Sequence, residues 1–173
     1  MQPAEPLRRL PVPVRLIARE TIGSFLTRLA FANSLRIPHL LALAAITTDT
    51  RSFSPATDDT RGWSEPTPAR IAALAGRPLA ELAAAIPLLT TMTPAGTAPL
   101  RACGHCAAAK NVTGMVIIRA RARDYLCVRH QQWLRGIHRP SLAALPEVAE
   151  GQRRHDRRTA NVPGPGTARV KSS

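Results

Sequence analysis

All three cysteines of the chain fall in one short segment, and their spacing constrains the fold more than any other feature. Cys103 and Cys106 form a C-x2-C pair, and Cys127 and His130 form a C-x2-H pair 20 residues further along. Such pairs can bring three thiolates and one imidazole around a tetrahedral Zn²⁺ ion, because a two-residue gap lets a tight turn present both ligands to one point. The sequence therefore predicts a structural zinc site in a small zinc-ribbon or zinc-knuckle module over residues 101–140.

Other uses of the cysteines stay open. A C-x2-C pair can be redox-active, although no βαβ pattern surrounds this one, and buried thiols can exist without a metal. His105 and His138 are alternative ligands, but neither completes a two-residue spacing with Cys127. Gly104 is expected at a first turn that needs a positive φ. Because four protein ligands leave no open position for water, the expected zinc is structural rather than catalytic.

Several classes of protein are excluded by what the sequence lacks. It contains no nucleophile–base pair, phosphate-cradling glycine loop or paired-carboxylate motif, so we expect a protein that is not an enzyme. An odd number of cysteines cannot form a closed disulfide framework. No secretory apolar segment follows the N-terminus, and the longest apolar run, residues 40–46, is far shorter than the roughly 20 residues of a membrane span. A cytoplasmic location is predicted.

The chain is strongly basic, with 24 Lys and Arg against 11 Asp and Glu, a net charge of +13. Because arginine far outnumbers lysine and both Ala and Pro are abundant, the codon bias of a GC-rich genome can account for part of this excess. Residues 101–150 and 151–173 each carry a net charge of +5. A surface that contacts DNA is therefore expected in the C-terminal half. Six scattered aromatic residues exclude a stacking platform for single strands.

Two groups of arginines are candidate DNA-binding residues. Arg119, Arg121 and Arg123 alternate along the chain, so an extended segment would place them on one face. The second group is denser, lies in a basic helix expected over residues 141–158, and comprises Arg153, Arg154, Arg157 and Arg158. Both groups suit contacts with phosphates, and both are also typical of a solvated surface. The density of the second group favours the phosphate role slightly.

Residues 10–100 are expected to form a helical domain interrupted by a loop over residues 47–66. Apolar residues at three- and four-residue spacing predict a helix from Thr21 to near Asn33. Pro38 occupies a favoured first-turn position and begins a second short helix. The fold class is therefore mainly α, with the small zinc module appended.

Two further helices complete this domain. Thr67 caps the first, which ends at Gly76, and Pro78 begins the second. Only two residues join them. The pair is therefore either two core helices of a bundle or a helix-turn-helix that binds DNA, and the bundle is the favoured interpretation. Residues 87–100 are expected to be a connector, and residues 159–173 a disordered C-terminal tail.

Residues 20–33 read Glu-Thr-Ile-Gly-Ser-Phe-Leu-Thr-Arg-Leu-Ala-Phe-Ala-Asn. They resemble the opening motif of TniQ proteins, which has a Glu-Ser-like start, a Ser before an aromatic residue, then Arg-Leu-Ala and an Asn. Residues 71–79 are similar to that family's middle segment, and the two cysteine pairs fall where its zinc-binding segment does. Residues 133–155 resemble the continuation in actinobacterial members. Over residues 10–158 the chain thus resembles a short member of this family.

TniQ proteins are accessory proteins of transposition that link a target-recognising component to the transposition machinery. The resemblance implies a non-enzymatic, zinc-containing adaptor that contacts DNA and recruits a protein partner, such as an ATPase or a target-recognition complex. Two other functions stay open. One is a transcription regulator that reads DNA through the helices at 67–75 and 78–86. The other is a zinc-stabilised protein-interaction module without DNA binding.

Overall fold

The computed structural model describes residues 7–46, 53–56, 67–86, 89, 96–121, 124–136 and 139–160. Contacts within the chain divide it into two units, residues 1–122 and 123–173, which are described separately below. The described ranges are mostly helical and add two small two-stranded sheets. No helix within these ranges is both long enough and apolar enough to cross a membrane.

Two predicted segments fall largely outside the described ranges. The loop expected over residues 47–66 is described only at residues 53–56. The tail expected over residues 159–173 lies outside them from residue 161 onward, and its first two residues belong to the last helix. Both expectations remain predictions for the other residues.

Four α-helices build the core of the first unit, and the spacing of apolar residues predicts each of them. They are α1 (Ile22–Ala32), α2 (Ile37–Leu43), α3 (Thr67–Ala75) and α4 (Leu79–Ala85). Their inward faces bury large side chains completely, among them Phe25, Leu40, Ile71 and Leu82. One apolar cluster joins all four helices, and the four predicted helices are confirmed.

A short turn connects α3 and α4. Gly76 has a φ of +62°, the left-handed conformation that a residue without Cβ adopts most readily. The N–H groups of Gly76 and Arg77 donate to the carbonyls of Ala73 and Ala72, each at 3.1 Å, which satisfies the last carbonyls of α3 in a Schellman motif. The expected helical pair is therefore present, but the described residues do not show the helix-turn-helix arrangement.

A two-stranded antiparallel ribbon lies in the C-terminal part of the first unit. It consists of β1 (Thr97–Arg101) and β2 (Ile117–Arg121), and the short helix α5 (Gly104–Ala108) lies between them in sequence. The connector predicted over residues 87–100 is therefore wrong from Thr97 onward. A proline such as Pro99 usually indicates a loop. In the ribbon Pro99 lies opposite Arg119, and the Arg119 N–H donates to the carbonyl of Arg19 rather than across the ribbon to Pro99. The ribbon tolerates a proline there, because an edge strand loses no ladder bond.

A buried ion pair underlies the motif at residues 20–33. The Glu20 carboxylate accepts hydrogen bonds from Arg28 Nε at 2.9 Å and from Arg28 Nη2 at 2.6 Å. The Ser24 hydroxyl donates to the same carboxylate at 2.7 Å. The Glu20 side chain is fully buried and that of Arg28 is 8% exposed. Arg28 Nη2 also donates to the Arg15 carbonyl at 2.8 Å, so the motif holds the extended N-terminal segment against α1.

The other polar residues of the motif join α1 to its neighbours. Thr21 caps α1, and its N–H donates to the carbonyl of Ile117 in β2 at 2.9 Å. The N–H of Ile117 in turn donates to the Ser24 hydroxyl at 3.0 Å. At the far end of α1, the Asn33 amide both donates to and accepts from the backbone of Val12, each at 2.8 Å. These residues therefore position β2 and the N-terminal segment on the helical core.

The second unit contains a small hairpin and one longer helix. Its elements are β3 (Leu126–Cys127), β4 (Gln132–Trp133) and α6 (Pro146–Ala160). The helix predicted over residues 141–158 begins at Pro146 instead, because the residues before it pair with the hairpin. Ser141 forms a bridge with Gln132, and the N–H of Leu142 donates to the Gln131 carbonyl at 2.6 Å. A proline in the first turn is a favoured helix start.

Candidate metal centre and basic surfaces

The C-x2-C pair lies at the start of α5. Cys103 is the N-cap residue of this helix and Cys106 lies in its first turn, so both side chains lie on one side of the turn. The N–H of Ala107 donates to the Cys103 carbonyl at 3.0 Å, which fixes the turn. Gly104 is helical, so the positive φ expected for it is wrong. The first turn of α5, rather than a glycine with positive φ, brings the two cysteines together.

A small apolar cluster supports the C-x2-C pair within the first unit. Ala107, Val112 and Val116 are buried together, and Ile17 and Ile118 pack against them. Cys103 is buried as well, whereas Cys106 is half-buried. The pair is thus anchored by ordinary apolar packing on one side and partly accessible on the other.

The C-x2-H pair lies on the hairpin of the second unit. Cys127 ends β3 opposite Gln132, and His130 lies in the turn that joins the two strands. Gln131 completes that turn with a φ of 45°. Cys127 Sγ lies 3.5 Å from His130 Nδ1. A single turn therefore presents the thiol and the imidazole to the same point, as the spacing predicts.

The structure brings the four predicted ligands together. The ligand atoms of Cys103, Cys106, Cys127 and His130 all lie within 4.8 Å of one another. A tetrahedral zinc ion with bonds of about 2.0–2.3 Å needs ligand separations of about 3.6–3.8 Å, which a small side-chain adjustment would reach. The group can therefore hold a metal ion such as zinc. His105 is exposed and outside the group, and His138 lies outside the described residues.

Arginines line one face of the β1–β2 ribbon. Arg119 and Arg121 share that face, as their alternation predicts, while Arg123 lies outside the described residues. Arg119 is half-buried, and its Nη1 donates to the Thr97 carbonyl at 3.1 Å. Arg101 lies on the same face across the ribbon, opposite Ile117. The sequence contains no signal for Arg101, because Pro99 makes the segment around it typical of a connector.

The second basic group lies on α6, and its residues are all exposed: Arg153, Arg154, Arg157 and Arg158. At 100° per residue these positions span an arc of about 140°, so they share one broad face of the helix. Arg157 and Arg158 lie in the last turn, where positive charge also stabilises the helix dipole. Ala149 is the one buried residue among the α6 side chains that the structure describes. The basic face is therefore open to a partner.

In comparisons with known proteins, no family model, curated protein or solved structure matches the chain. The resemblance to TniQ proteins therefore depends on the motif residues themselves. Four of those residues, Glu20, Ser24, Arg28 and Asn33, make the hydrogen bonds that hold α1 in place. These motif residues thus have a structural role around α1.

Proposed function

We propose that the chain is a non-enzymatic, zinc-containing adaptor of the TniQ type, which links target DNA or a target-recognition complex to transposition machinery. The observation that carries this proposal is the Cys₃His group, because its members lie together as a structural zinc site requires. The order of the N-terminal motif, the helical pair and the cysteine pairs along the chain supplies the resemblance. The class of partner comes from that resemblance alone.

Contact with DNA is supported by the two basic surfaces near the zinc ligands in sequence. The exposed face of α6 carries four arginines, and the ribbon face carries Arg101, Arg119 and Arg121. Arginine side chains at this density can neutralise several phosphates without reading a base sequence. Such contacts suit an adaptor that engages target DNA whose sequence another component selects.

The regulator alternative requires a recognition helix, and the composition of α4 argues against it. Its seven residues are Leu, Ala and Glu, and its charged residue, Glu81, pairs with Arg77 at 3.3 Å. Direct readout of bases depends on Arg, Lys, Asn or Gln side chains that reach the base edges. We therefore place the DNA contacts on α6 and the ribbon, and retain the bundle interpretation for α3 and α4.

Replacing Arg153, Arg154, Arg157 and Arg158 with Gln is expected to reduce the salt dependence of DNA binding. Each lost phosphate contact lowers the slope of log K against log salt by about 0.9, so the full set lowers it by up to about 3.6. Fluorescence anisotropy with a labelled 20-base-pair duplex, titrated at several KCl concentrations, measures this slope.

The matched control removes four exposed charges from the first unit by changing Arg8, Arg9, Arg36 and Lys110 to Gln. Its slope should stay close to that of the unchanged protein. Equal slopes for the two quadruple variants would show that total charge, not α6, governs binding. If the unchanged protein does not bind DNA even at low salt, the remaining hypothesis is a zinc-stabilised protein-interaction module.

A second substitution tests the ribbon surface. Changing Arg101 and Arg121 to Gln removes two exposed charges and leaves the Arg119 hydrogen bond to Thr97 intact. We expect the slope to fall by up to about 1.8. A slope equal to that of the unchanged protein would remove the ribbon from the DNA-binding surface.

A further inference from the structure

The lining of an apolar groove in the first unit includes none of the four candidate metal ligands and none of the arginines assigned to DNA contacts. Its volume is about 470 Å³, within the range of about 300–1,000 Å³ typical of ligand pockets. One wall comes from the extended N-terminal segment and α1, and the other from the loop that precedes β2. The ion pair of Arg28 with Glu20 and the Asn33 hydrogen bonds to Val12 fix the first wall. The groove is therefore built on a rigid frame.

Three large apolar side chains project around this groove into solvent. Phe31 on α1 is 82% exposed, Val12 is 45% exposed and Met115 is 43% exposed, and all three line the groove. Single exposed apolar residues are common, but a contiguous group around a concavity is typical of an interaction site. Aromatic residues and methionine are also the types enriched where proteins bind one another.

The charge around the groove defines what can bind there. Residues 1–122 contain 14 Arg and Lys against 7 Asp and Glu, a net charge of +7. Arg15 lines the groove, and its Nη1 donates to the carbonyl of Lys110, which is exposed nearby. An occupant with negative charge is therefore favoured.

We propose that this groove binds an acidic peptide segment of a protein partner, with a large apolar side chain of that segment inserted beside Phe31 and Met115. The apolar walls favour a peptide over duplex DNA, because the phosphates on a duplex surface would gain nothing from Val12, Phe31 or Met115. The inference rests on the proposed adaptor role and assigns its partner-binding surface. It requires no contribution from the zinc ligands or from the arginines of α6.

The test uses the full-length protein and fluorescein-labelled 15-residue peptides with a central Phe, Trp or Leu flanked by Asp and Glu. A matched set has Asn and Gln in place of the acids. Fluorescence polarisation should show binding of acidic peptides, with the neutral set at least about tenfold weaker. Phe31→Ala and Met115→Ala should each weaken binding by about tenfold or more, as expected for anchoring residues of an interface.

Leu79→Ala is the control, because Leu79 is 39% exposed in the same unit and does not line the groove. It should bind the acidic peptides as the unchanged protein does, and all three variants should keep the melting temperature. The proposal is overturned if no acidic peptide binds, if the neutral set binds equally, or if Leu79→Ala weakens binding as much as Phe31→Ala.

Duplex and single-stranded DNA binding, measured on the same variants, separates this inference from the proposed DNA contacts. Retained DNA binding by Phe31→Ala supports a peptide site, whereas a tenfold loss would assign the groove to nucleic acid and overturn the inference. If DNA binds but peptides do not, only the groove assignment fails. If peptides bind through Phe31 but DNA does not, the groove assignment stands and the DNA part of the proposed function fails.

Discussion

Substituting Cys127 with Ser, or removing the metal with a chelator, is expected to unfold the hairpin of the second unit. Zinc binding supplies about 10–16 kcal/mol to small zinc-dependent folds at pH 7, and most of that would be lost with one ligand. The unchanged protein should contain about one zinc per chain by elemental analysis, and Cys127→Ser should contain close to none. Tryptophan fluorescence of Trp133 on β4 should shift towards that of an exposed indole.

The hairpin has little else to stabilise it. Its strands β3 and β4 have two residues each, and Leu126 and Leu134 are its buried apolar residues within the described part of residues 124–136. Tyr125 and Trp133 add one tilted ring contact at 6.4 Å. A hairpin of this size is marginally stable in water, so we expect a bound metal ion to supply most of its folding free energy. The helices α1 to α4 have their own apolar core, so the helical circular dichroism signal of the protein should be retained.

A pair of histidine substitutions provides the control. The His130→Ala variant should bind no zinc, and its hairpin should be unfolded. The His105→Ala variant should keep the zinc and the folded hairpin, because His105 is exposed and outside the ligand group. Zinc loss in both variants would point to indirect destabilisation. A folded, metal-free Cys127→Ser protein would contradict a structural metal and favour buried thiols.

The candidate metal ligands could be predicted from sequence because the geometry within each pair is local. Each cysteine pair needs only one turn to converge, and that turn is encoded by a two-residue gap. The helices could be predicted for the same reason, since Thr21 caps α1 and Gly76 ends α3 through bonds within a few residues. Spacing alone therefore carried most of the information about the helical core and the candidate metal site.

The features that the sequence did not reveal depend on contacts between distant residues. Strand β1 forms because it pairs with β2, about 20 residues away along the chain. The sequence of β1 does not indicate a strand, because Pro99 is typical of a loop. Arg101 was missed with it. The exposure of Phe31 follows from the helical period, because Phe31 lies about 180° from Ile22 around α1. The groove beside Phe31 could not be predicted, because four separate segments of the chain line it.

The polar residues of α1, with Glu20 just before it, illustrate the same limit. Glu20, Ser24 and Arg28 recur every four residues, a spacing that usually places charged side chains on a solvated helix face. In the structure this face is buried against β2 and the N-terminal segment, where the three side chains satisfy one another. Because the pair is buried, we expect the loss of either partner to destabilise the fold strongly.

Arg28→Ala is expected to destabilise the protein by about 3–5 kcal/mol, because it leaves the Glu20 carboxylate buried without its partner. Domains of this size are stable by about 5–15 kcal/mol, so a large part of that stability would be lost. Glu20→Ala should lower the free energy of unfolding by a similar amount, because it leaves the Arg28 guanidinium buried without its partner. Urea denaturation followed by the circular dichroism of the helices measures both effects.

Replacing both partners with apolar residues separates a buried ion pair from simple loss of packing. The Glu20→Leu and Arg28→Met double variant leaves no unpaired charge, so it should be clearly more stable than either single alanine variant. Arg77→Ala is the control for an exposed pair, because Arg77 and Glu81 are 38% and 48% exposed, and it should cost about 0.3–0.5 kcal/mol. If Arg28→Ala cost no more than Arg77→Ala, the Glu20–Arg28 pair would have no structural role. The motif at residues 20–33 would then need a function other than holding α1 against β2.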